Sequence, residues 1–300
     1  MTFMLVSSIV TCLCVLIGVA FFTLLERKVL GYIQLRKGPN VVGFIGILQP
    51  FADALKLFTK EKIEPLNSNK IMMKFSCVLS FVLAYTLWYV YPSEFNYKVT
   101  YLSMLVFLCI CSLNVYGTML AGWSSNSKYA FLGSIRASAQ TISYEVSMVL
   151  ILLFPAGLML CLSFEKALLS FPVLFLLFPV LGVWFASTLA ETNRAPFDFA
   201  EGESELVSGF NVEFSGGMFA MLFLAEYASI LFMSMVTSVW FCPTSNTLVF
   251  CSFVLFFALM FLFARGAYPR HRYDLLMMLC WKTFLPFSLF SLSLLTISFF

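Results

Sequence analysis

Residues 217–241 read GMFAMLFLAEYASILFMSMVTSVWF, and this stretch decides the fold class. Its single charged side chain is Glu226. A helix needs roughly 20 predominantly apolar residues to cross the hydrocarbon core of a bilayer. The stretch is long enough for that, and it lacks the short alternation of apolar and polar residues that a strand of a membrane barrel shows. It therefore predicts a membrane-spanning helix.

Similar apolar runs occur on both sides of this stretch. They lie at residues 3–25, 72–91, 100–121, 138–162, 171–190, 246–264 and 275–298. Of the 300 residues, 61% are hydrophobic and 11% are charged, whereas a soluble domain carries about 25% charged residues. We therefore predict an all-α, polytopic integral membrane protein. It would form one transmembrane helical domain over residues 1–300, with about eight spanning helices.

The basic residues assign a side to each connection between the runs. Of the 18 lysines and arginines, fourteen lie in or next to four connections, at residues 27–71, 122–137, 191–216 and 265–274. Lys74 and Lys282 lie near the same side, and only Lys98 and Lys166 fall on the far side. Loops on the cytoplasmic or matrix side of a membrane carry an excess of these residues. The four connections should therefore lie together on that side, with both termini on the other. They are also the longer connections, which favours this side as the functional face.

The first of these connections contains a second kind of helix signal. Apolar residues recur at three- and four-residue steps from Phe44 to Phe58, and Gln49, Asp53 and Lys56 mark the opposite stripe. This pattern predicts an amphipathic helix that lies in the membrane interface. Such a helix either anchors the connection or forms one wall of an entry route for a lipid-soluble molecule.

Two glutamates lie inside predicted spans, Glu145 in the run 138–162 and Glu226 in the run 217–241. A charged side chain in lipid costs roughly 3 kcal/mol or more, so such residues usually face the protein interior and serve function. Because burial disfavours the charged carboxylate, both are candidates to take up and release protons. The alternative is that each forms a hydrogen bond that links two helices.

The connection at residues 191–216 is strongly acidic, with six carboxylates against one arginine, Arg194. The carboxylates belong to Glu191, Asp198, Glu201, Glu203, Glu205 and Glu213. Carboxylates this close titrate as a coupled group. Phe197, Phe199 and Phe210 lie among them, which favours a segment folded against the membrane domain over a solvated acidic loop. Neutralising partners could include Arg36, Arg136, Arg272 or residues of another subunit.

Signals for a redox or metal centre are weak in this sequence. The nine cysteines form no CxxC pair, and His271 is the only histidine. Iron–sulfur and haem sites need cysteine or histidine ligands at set spacings, and no nucleotide-binding glycine motif is present. We therefore predict no metal site, and expect that any redox centres belong to partner proteins. The basic segment 27–37 is either a topogenic loop or a set of donors for a polar head group.

Five stretches together resemble one known family. They are LERKVLGYIQLRKGPN at 25–40, QPFADALKLF at 49–58, QTISYE at 140–145, AETNRAPFD at 190–198 and EGESELVSGFN at 201–211. They resemble subunit 1 of NADH:ubiquinone oxidoreductase, respiratory complex I, in order along essentially the whole chain. The compact length and the abundance of Phe and Met resemble a mitochondrially encoded animal version. The family often has threonine at the position of Ala195, a mild difference.

The resemblance implies a membrane-arm core subunit that forms the ubiquinone entry chamber and the start of an acidic proton-coupling path. By position, it implies that the quinone chamber is lined or shaped by Arg27, Gln34, Arg36, Asp53, Arg194 and Arg272. It implies that proton coupling involves Glu145, Glu191, Asp198, Glu201, Glu203, Glu205, Glu213 and Glu226. Two other functions stay open from the residues alone, a secondary transporter or channel and a purely structural membrane anchor.

The resemblance also implies cofactors, partners and location. Ubiquinone would be the substrate, while NADH, FMN and iron–sulfur clusters would bind only to partner subunits. The partners would be the peripheral quinone-module subunits, neighbouring membrane-arm subunits, ubiquinone and phospholipid, with no nucleic acid. The chain would be a multi-pass protein of the mitochondrial inner membrane, with both termini towards the intermembrane space.

Overall fold

The computed structural model of the chain describes residues 2–92, 101–175, 178–199 and 209–299. Within these ranges the ordered elements are helices and none is a strand, which confirms the all-α prediction. The α-helices, numbered here in chain order, are α1 Thr2–Ile33, α2 Gln49–Thr59, α3 Lys70–Leu87, α4 Ser103–Ser124, α5 Lys128–Met159, α6 Phe164–Leu168, α7 Phe178–Glu191, α8 Gly216–Phe241, α9 Thr247–Ala267, α10 Tyr273–Leu279 and α11 Leu285–Phe299. A π-helical turn at Cys280–Phe284 joins α10 to α11.

Seven helical segments in the described residues are long and apolar enough to cross a membrane. They are α1, α3, α4, α5, α8, α9 and the continuous α10–α11 segment. In the eighth predicted span, 171–190, the described residues form a short 3-10 turn at Val173–Phe175 and helix α7 of 14 residues. Residues 176 and 177, between the two, lie outside the described residues. A multi-pass membrane fold is therefore confirmed, and the eighth span stays a prediction.

Helix α5 begins ten residues before the predicted start at residue 138, so Arg136 lies on a helix and not in a loop. The early turns of α5 carry the small residues Gly133 and Ser134, which are buried. A Cβ atom added at Gly133 would lie 3.1 Å from the Cα atom of Gly209. Close packing against the turn that starts at residue 209 therefore stabilises helix where the sequence predicted a connection.

Helix α8 lies at the centre of the bundle. It contacts α1, α2, α3 and α9. Over the 18 most apolar consecutive residues of each helix, 56% of α8 is buried, compared with 17% of α1. Trp240 and Phe232 are among its fully buried side chains. A helix that is apolar on every side is expected to be surrounded by other helices. The stretch that decided the fold class therefore also forms its core.

Contacts between loops show that the four lysine- and arginine-rich connections lie at one end of the bundle. The backbone amide of Asn69 donates to the carbonyl of Ser124 at 2.9 Å, and that of Ile63 donates to Ser215 Oγ at 2.8 Å. The amide of His271 donates to the carbonyl of Pro196 at 3.1 Å. The grouping of loops agrees with the charge pattern, and the compartment that this end faces stays a prediction.

Helix α2 has the predicted amphipathic character. Its apolar side chains Phe51, Leu55 and Phe58 are exposed. On its polar side, Gln49 donates to Asp53 at 3.0 Å, and Asp53 pairs with Arg27 of α1 at 2.7 Å. The ion pair holds the polar side of α2 against α1, and on the apolar side Phe51 makes an edge contact with Phe21 of α1 while Leu55 and Phe58 face outward.

Candidate functional site

A buried carboxylate, Glu26, organises the loop end of the bundle. Its side chain is 4% exposed and receives three contacts. Tyr227 Oη of α8 donates to Glu26 Oε2 at 2.6 Å, and Arg194 Nη1 lies 3.3 Å from Glu26 Oε1. Arg265, near the end of α9, forms an ion pair with the same oxygen. We call these four residues the Glu26 cluster, which joins α1, α8, α9 and the segment after α7.

Helical spacing explains why Glu26 is buried. Val15, Val19, Phe22 and Glu26 follow one another at steps of four, three and four residues, and all four side chains are buried. Residues at these steps share one face of a helix. Because a buried charge is costly unless it is paired, the two guanidinium groups and the tyrosine are needed to hold Glu26 on this face.

Arg194 is placed by the loop that follows α7. Its backbone amide donates to the carbonyl of Leu189, and the amide of Phe197 donates back to the carbonyl of Arg194 at 2.8 Å. Gln140 of α5 fixes the same loop, because its Nε2 donates to the carbonyls of Ala190 and Phe197, each at 2.9 Å. The beginning of the acidic connection is therefore folded against the bundle, as the aromatic residues predicted.

The guanidinium of Arg194 also lies over the ring of Tyr227, with Cζ 4.5 Å from the ring centroid. Burial acts to lower the pKa of Arg194, but the neighbouring Tyr227, Glu26 and Glu226 act to raise it, and the net change is upward. Arg194 is therefore a fixed positive charge. It interacts electrostatically with carboxylates on two sides, Glu26 of the cluster and Glu226 of α8.

A second acidic group lies next to this cluster, around a cavity of about 50 Å³. The cavity is bounded by α3, α4, α8 and the end of α7, and its polar lining residues include Ser80, Asn114, Glu191, Asn193 and Glu226. This volume is enough for a few water molecules, and the polar lining offers them hydrogen bonds. We call this space the acidic cavity.

Glu191 is the most buried acid of this cavity, with 7% of the residue exposed. Its Oε2 atom and Asn193 Oδ1 are buried without a hydrogen-bond partner among the described residues. Glu145 of α5 is half-buried and interacts electrostatically with Glu191. The structure thus brings Glu191, Glu145 and Glu226 of the predicted coupling residues into one region.

The remaining predicted coupling residues are dispersed or lie outside the described residues. Asp198 pairs with Arg270 at 3.2 Å, so its partner is none of the three arginines considered from the sequence. Glu213 is half-buried in the turn before α8. The other three, Glu201, Glu203 and Glu205, lie outside the described residues.

The residues predicted for the quinone chamber divide into four groups. Arg27 and Asp53 form the ion pair between α1 and α2. Arg36 donates to Gln34 at 2.9 Å on the exposed connection that follows α1. Arg194 is buried in the Glu26 cluster.

Arg272, the last predicted chamber residue, is 81% exposed and pairs with Asp274 at 3.6 Å, away from the Glu26 cluster.

As for metals, the described residues contain no group of three His, Cys, Asp or Glu side chains that could hold an ion. What the described residues do bring together are carboxyl groups, guanidinium groups and a phenol, which can form ion pairs and hydrogen bonds and exchange protons.

Sequence reasoning missed Glu26, Arg265 and the role of Tyr227. Glu26 lies at the end of the first apolar run, where it reads as part of a solvated basic connection. The available signal was its spacing from Val15, Val19 and Phe22. The residues on the opposite face of α1 are equally apolar, so the spacing alone could not identify the buried face.

Comparison with known proteins agrees with this architecture. A family model described as NADH dehydrogenase matches residues 6–296. The chain is 56% identical over 289 residues to NADH-ubiquinone oxidoreductase chain 1 of Aedes aegypti, covering 95% of this chain and 92% of the relative. It is 52% identical to the protein of that name from Heterololigo bleekeri, covering 98% and 96%.

A vertebrate relative gives the same result. The protein named NADH-ubiquinone oxidoreductase chain 1 from Sarcophilus harrisii is 49% identical over 288 residues, covering 92% of this chain and 90% of the relative. Identity of this level extends over the apolar spans and the connections between them. The chain therefore belongs to the NADH dehydrogenase family, as a chain 1 subunit of NADH-ubiquinone oxidoreductase of the animal mitochondrial type.

Proposed function

We propose that this membrane subunit of respiratory complex I forms part of the entry route for ubiquinone and the first section of the proton-coupling path. The observation that carries the proposal is the arrangement of buried charge at the loop end of the bundle. Glu191 and Glu226 line a small cavity whose wall combines polar and apolar side chains, and Arg194 interacts with both Glu226 and Glu26. A change of charge at one of these groups would alter the electrostatic potential at the others.

The entry route is proposed to pass helix α2. Its exposed apolar side chains fit the acyl region and the apolar tail of ubiquinone, and its polar side contacts α1 through Arg27 and Asp53. The exposed donors Gln34, Arg36 and Arg272 would then be available to the polar quinone head or to a peripheral subunit that covers it. Ubiquinone and phospholipid are the proposed lipid partners, together with the peripheral and membrane-arm subunits.

Coupling is proposed to follow from electrostatics. Partner subunits would supply electrons from NADH through FMN and iron–sulfur clusters. A negative charge that develops on the quinone would then favour proton uptake by nearby carboxyl groups. The acids of the cavity would respond as a coupled group, with Arg194 as the fixed charge beside them. The altered charge and hydration would bias the neighbouring membrane subunits.

The membrane orientation is part of the proposal. The inner mitochondrial membrane is the location that the family implies, and the basic connections at one end of the bundle would face the matrix. Both termini would then face the intermembrane space. The end of the bundle that contains the Glu26 cluster would lie on the matrix side, where peripheral subunits bind.

The test uses Glu145→Gln and Glu226→Gln variants in the assembled complex, with Glu165→Gln, an exposed acid of α6, as the control. We expect assembly in all three, and lower ubiquinone reduction or proton pumping in the first two only. Loss of assembly without a turnover defect in the assembled fraction would indicate a structural anchor. Normal coupled turnover in both Glu145→Gln and Glu226→Gln would refute the proposal.

A further inference from the structure

The connection between α2 and α3 carries a concentration of lysines that the proton path does not use. Lys62 and two lysines of α3, Lys70 at its first position and Lys74 one turn later, surround one acid, Glu64. Lys74 Nζ lies 2.8 Å from Glu64, and Lys70 Nζ lies 3.8 Å from it. The hydrogen bond from Lys74 is the largest cause of a lowered pKa at Glu64, and the charges of all three lysines act in the same direction.

The position of these lysines on α3 is electrostatically unfavourable. The N-terminus of a helix carries a partial positive charge that favours anions and disfavours cations. Helix α3 begins at Lys70 and has no acidic residue in its first turn. Residues 60–74 contain four lysines and two glutamates, Glu61 and Glu64, so the site is still short of negative charge. An external anion would complete it.

The surface below the lysines is apolar and outward-facing. Ile71, Phe75, Val78 and Val82 follow one another at steps of four, three and four residues along α3, and all are exposed. The opposite face of α3, which includes Met73 and other buried residues, packs into the bundle. When lysines lie at the end of an exposed apolar stripe, their long side chains can place the ammonium groups in the head-group layer of a membrane.

We propose that the Lys62–Lys70–Lys74 cluster binds the phosphate of an anionic phospholipid, whose acyl chains lie along the exposed stripe of α3. The inference rests on the proposed matrix-side placement of this connection and does not involve the acids of the cavity. Charge complementarity selects an anionic lipid over a zwitterionic one. Apolar side chains directly beneath the lysines favour a lipid over a soluble acidic partner.

The test measures lipid retention by the purified complex. The complex is reconstituted in nanodiscs of phosphatidylcholine with a minor fraction of phosphatidylglycerol, and the lipids that survive detergent release are counted by native mass spectrometry. The variant is Lys62→Gln with Lys74→Gln. The control is Lys37→Gln with Lys128→Gln, which removes two lysines from the same end of the bundle at other positions.

We expect the cluster variant to retain phosphatidylglycerol about tenfold or more less well, since each basic residue near an anionic lipid changes affinity by about fivefold. The control should retain it normally. Equal loss in both pairs would show general charge attraction only and would overturn the proposal. Retention of phosphatidylcholine in its place, or of no lipid by the unaltered complex, would also overturn it. Because turnover is not the readout, a negative result leaves the coupling proposal untouched.

Discussion

Two buried glutamates at the same end of the bundle have opposite surroundings. Glu26 is held by Arg194, Arg265 and the hydroxyl of Tyr227. Glu191 has an oxygen without a hydrogen-bond partner among the described residues, and the charged group that acts on it is another carboxylate, Glu145. Burial is similar, so the difference between the two acids lies in their partners.

The two acids therefore differ in what holds them in place. Glu26 accepts charge-assisted hydrogen bonds from two guanidinium groups and a hydrogen bond from a phenol, and these contacts link three helices and the segment after α7. A carboxyl group that is desolvated beside a second carboxylate changes its protonation state more readily than it keeps a charge. We therefore assign Glu26 a structural role and Glu191 a role in proton exchange. Arg194 connects the two regions.

The largest expected effect is that of Glu26→Gln. The substitution leaves two guanidinium groups near the bundle interior without their carboxylate. Removing one partner of a buried pair costs about 3–5 kcal/mol, and we expect a value near the lower end because Arg265 is 36% exposed. The amount of assembled complex on native gels should fall strongly. Normal assembly would contradict the structural role of Glu26.

A smaller effect is expected for Tyr227→Phe. It removes one hydrogen bond to a charged acceptor, about 2 kcal/mol, and keeps the ring beneath Arg194. The complex should assemble with reduced thermal stability, which a thermal-shift measurement would show. The control is Tyr268→Phe, which removes an exposed hydroxyl. If both variants melt at the temperature of the unaltered complex, the hydrogen bond to Glu26 contributes nothing to the thermal stability of the complex.

Glu191→Gln should behave in the opposite way to Glu26→Gln. The amide fits the same cavity and needs no counterion, so assembly should be normal. Coupled ubiquinone reduction should fall about tenfold, equivalent to about 1.4 kcal/mol in the barrier, because a proton-exchanging group is lost. Turnover of the assembled complex and proton release by membrane vesicles measure this. A defect in assembly with full specific activity would reverse the assignment.

The smallest effect on stability should come from Arg27→Gln. The pair with Asp53 is partly solvent-exposed, at 52% and 35%, and such pairs contribute about 0.2–1 kcal/mol. Thermal stability should hardly change. If α2 forms a wall of the quinone route, the KM for ubiquinone should rise while assembly stays normal. An unchanged KM would leave α2 with an anchoring role only.

The sequence was informative where a single pattern determines the structure. Apolar length identified seven spans, and the distribution of lysines and arginines grouped the four connections that contact one another. The acids in the spans at residues 145 and 226 were found because they interrupt apolar runs. The segment around Phe197 was correctly predicted to pack, since a solvated loop has no need of aromatic residues.

The rest of the site depends on contacts that no local pattern encodes. Arg265 and Glu26 are far apart in sequence and meet only because α1 and α9 both pack against the bundle core. Asp198 pairs with Arg270 because the fold places this arginine, one of several on the same side, next to it. Helix α5 extends to Lys128 because Gly133 packs against Gly209.

Infrared difference spectroscopy of the assembled complex tests directly whether the acids of the cavity exchange protons when ubiquinone is reduced. Spectra are recorded before and after ubiquinone reduction, in the region of the protonated carboxyl stretch, for the unaltered complex and for Glu191→Gln, Glu226→Gln and Tyr227→Phe. We expect a carboxyl signal that is lost or reduced in the two glutamate variants and retained in Tyr227→Phe. An undiminished signal in both glutamate variants would show that the acids of the cavity do not exchange protons during turnover.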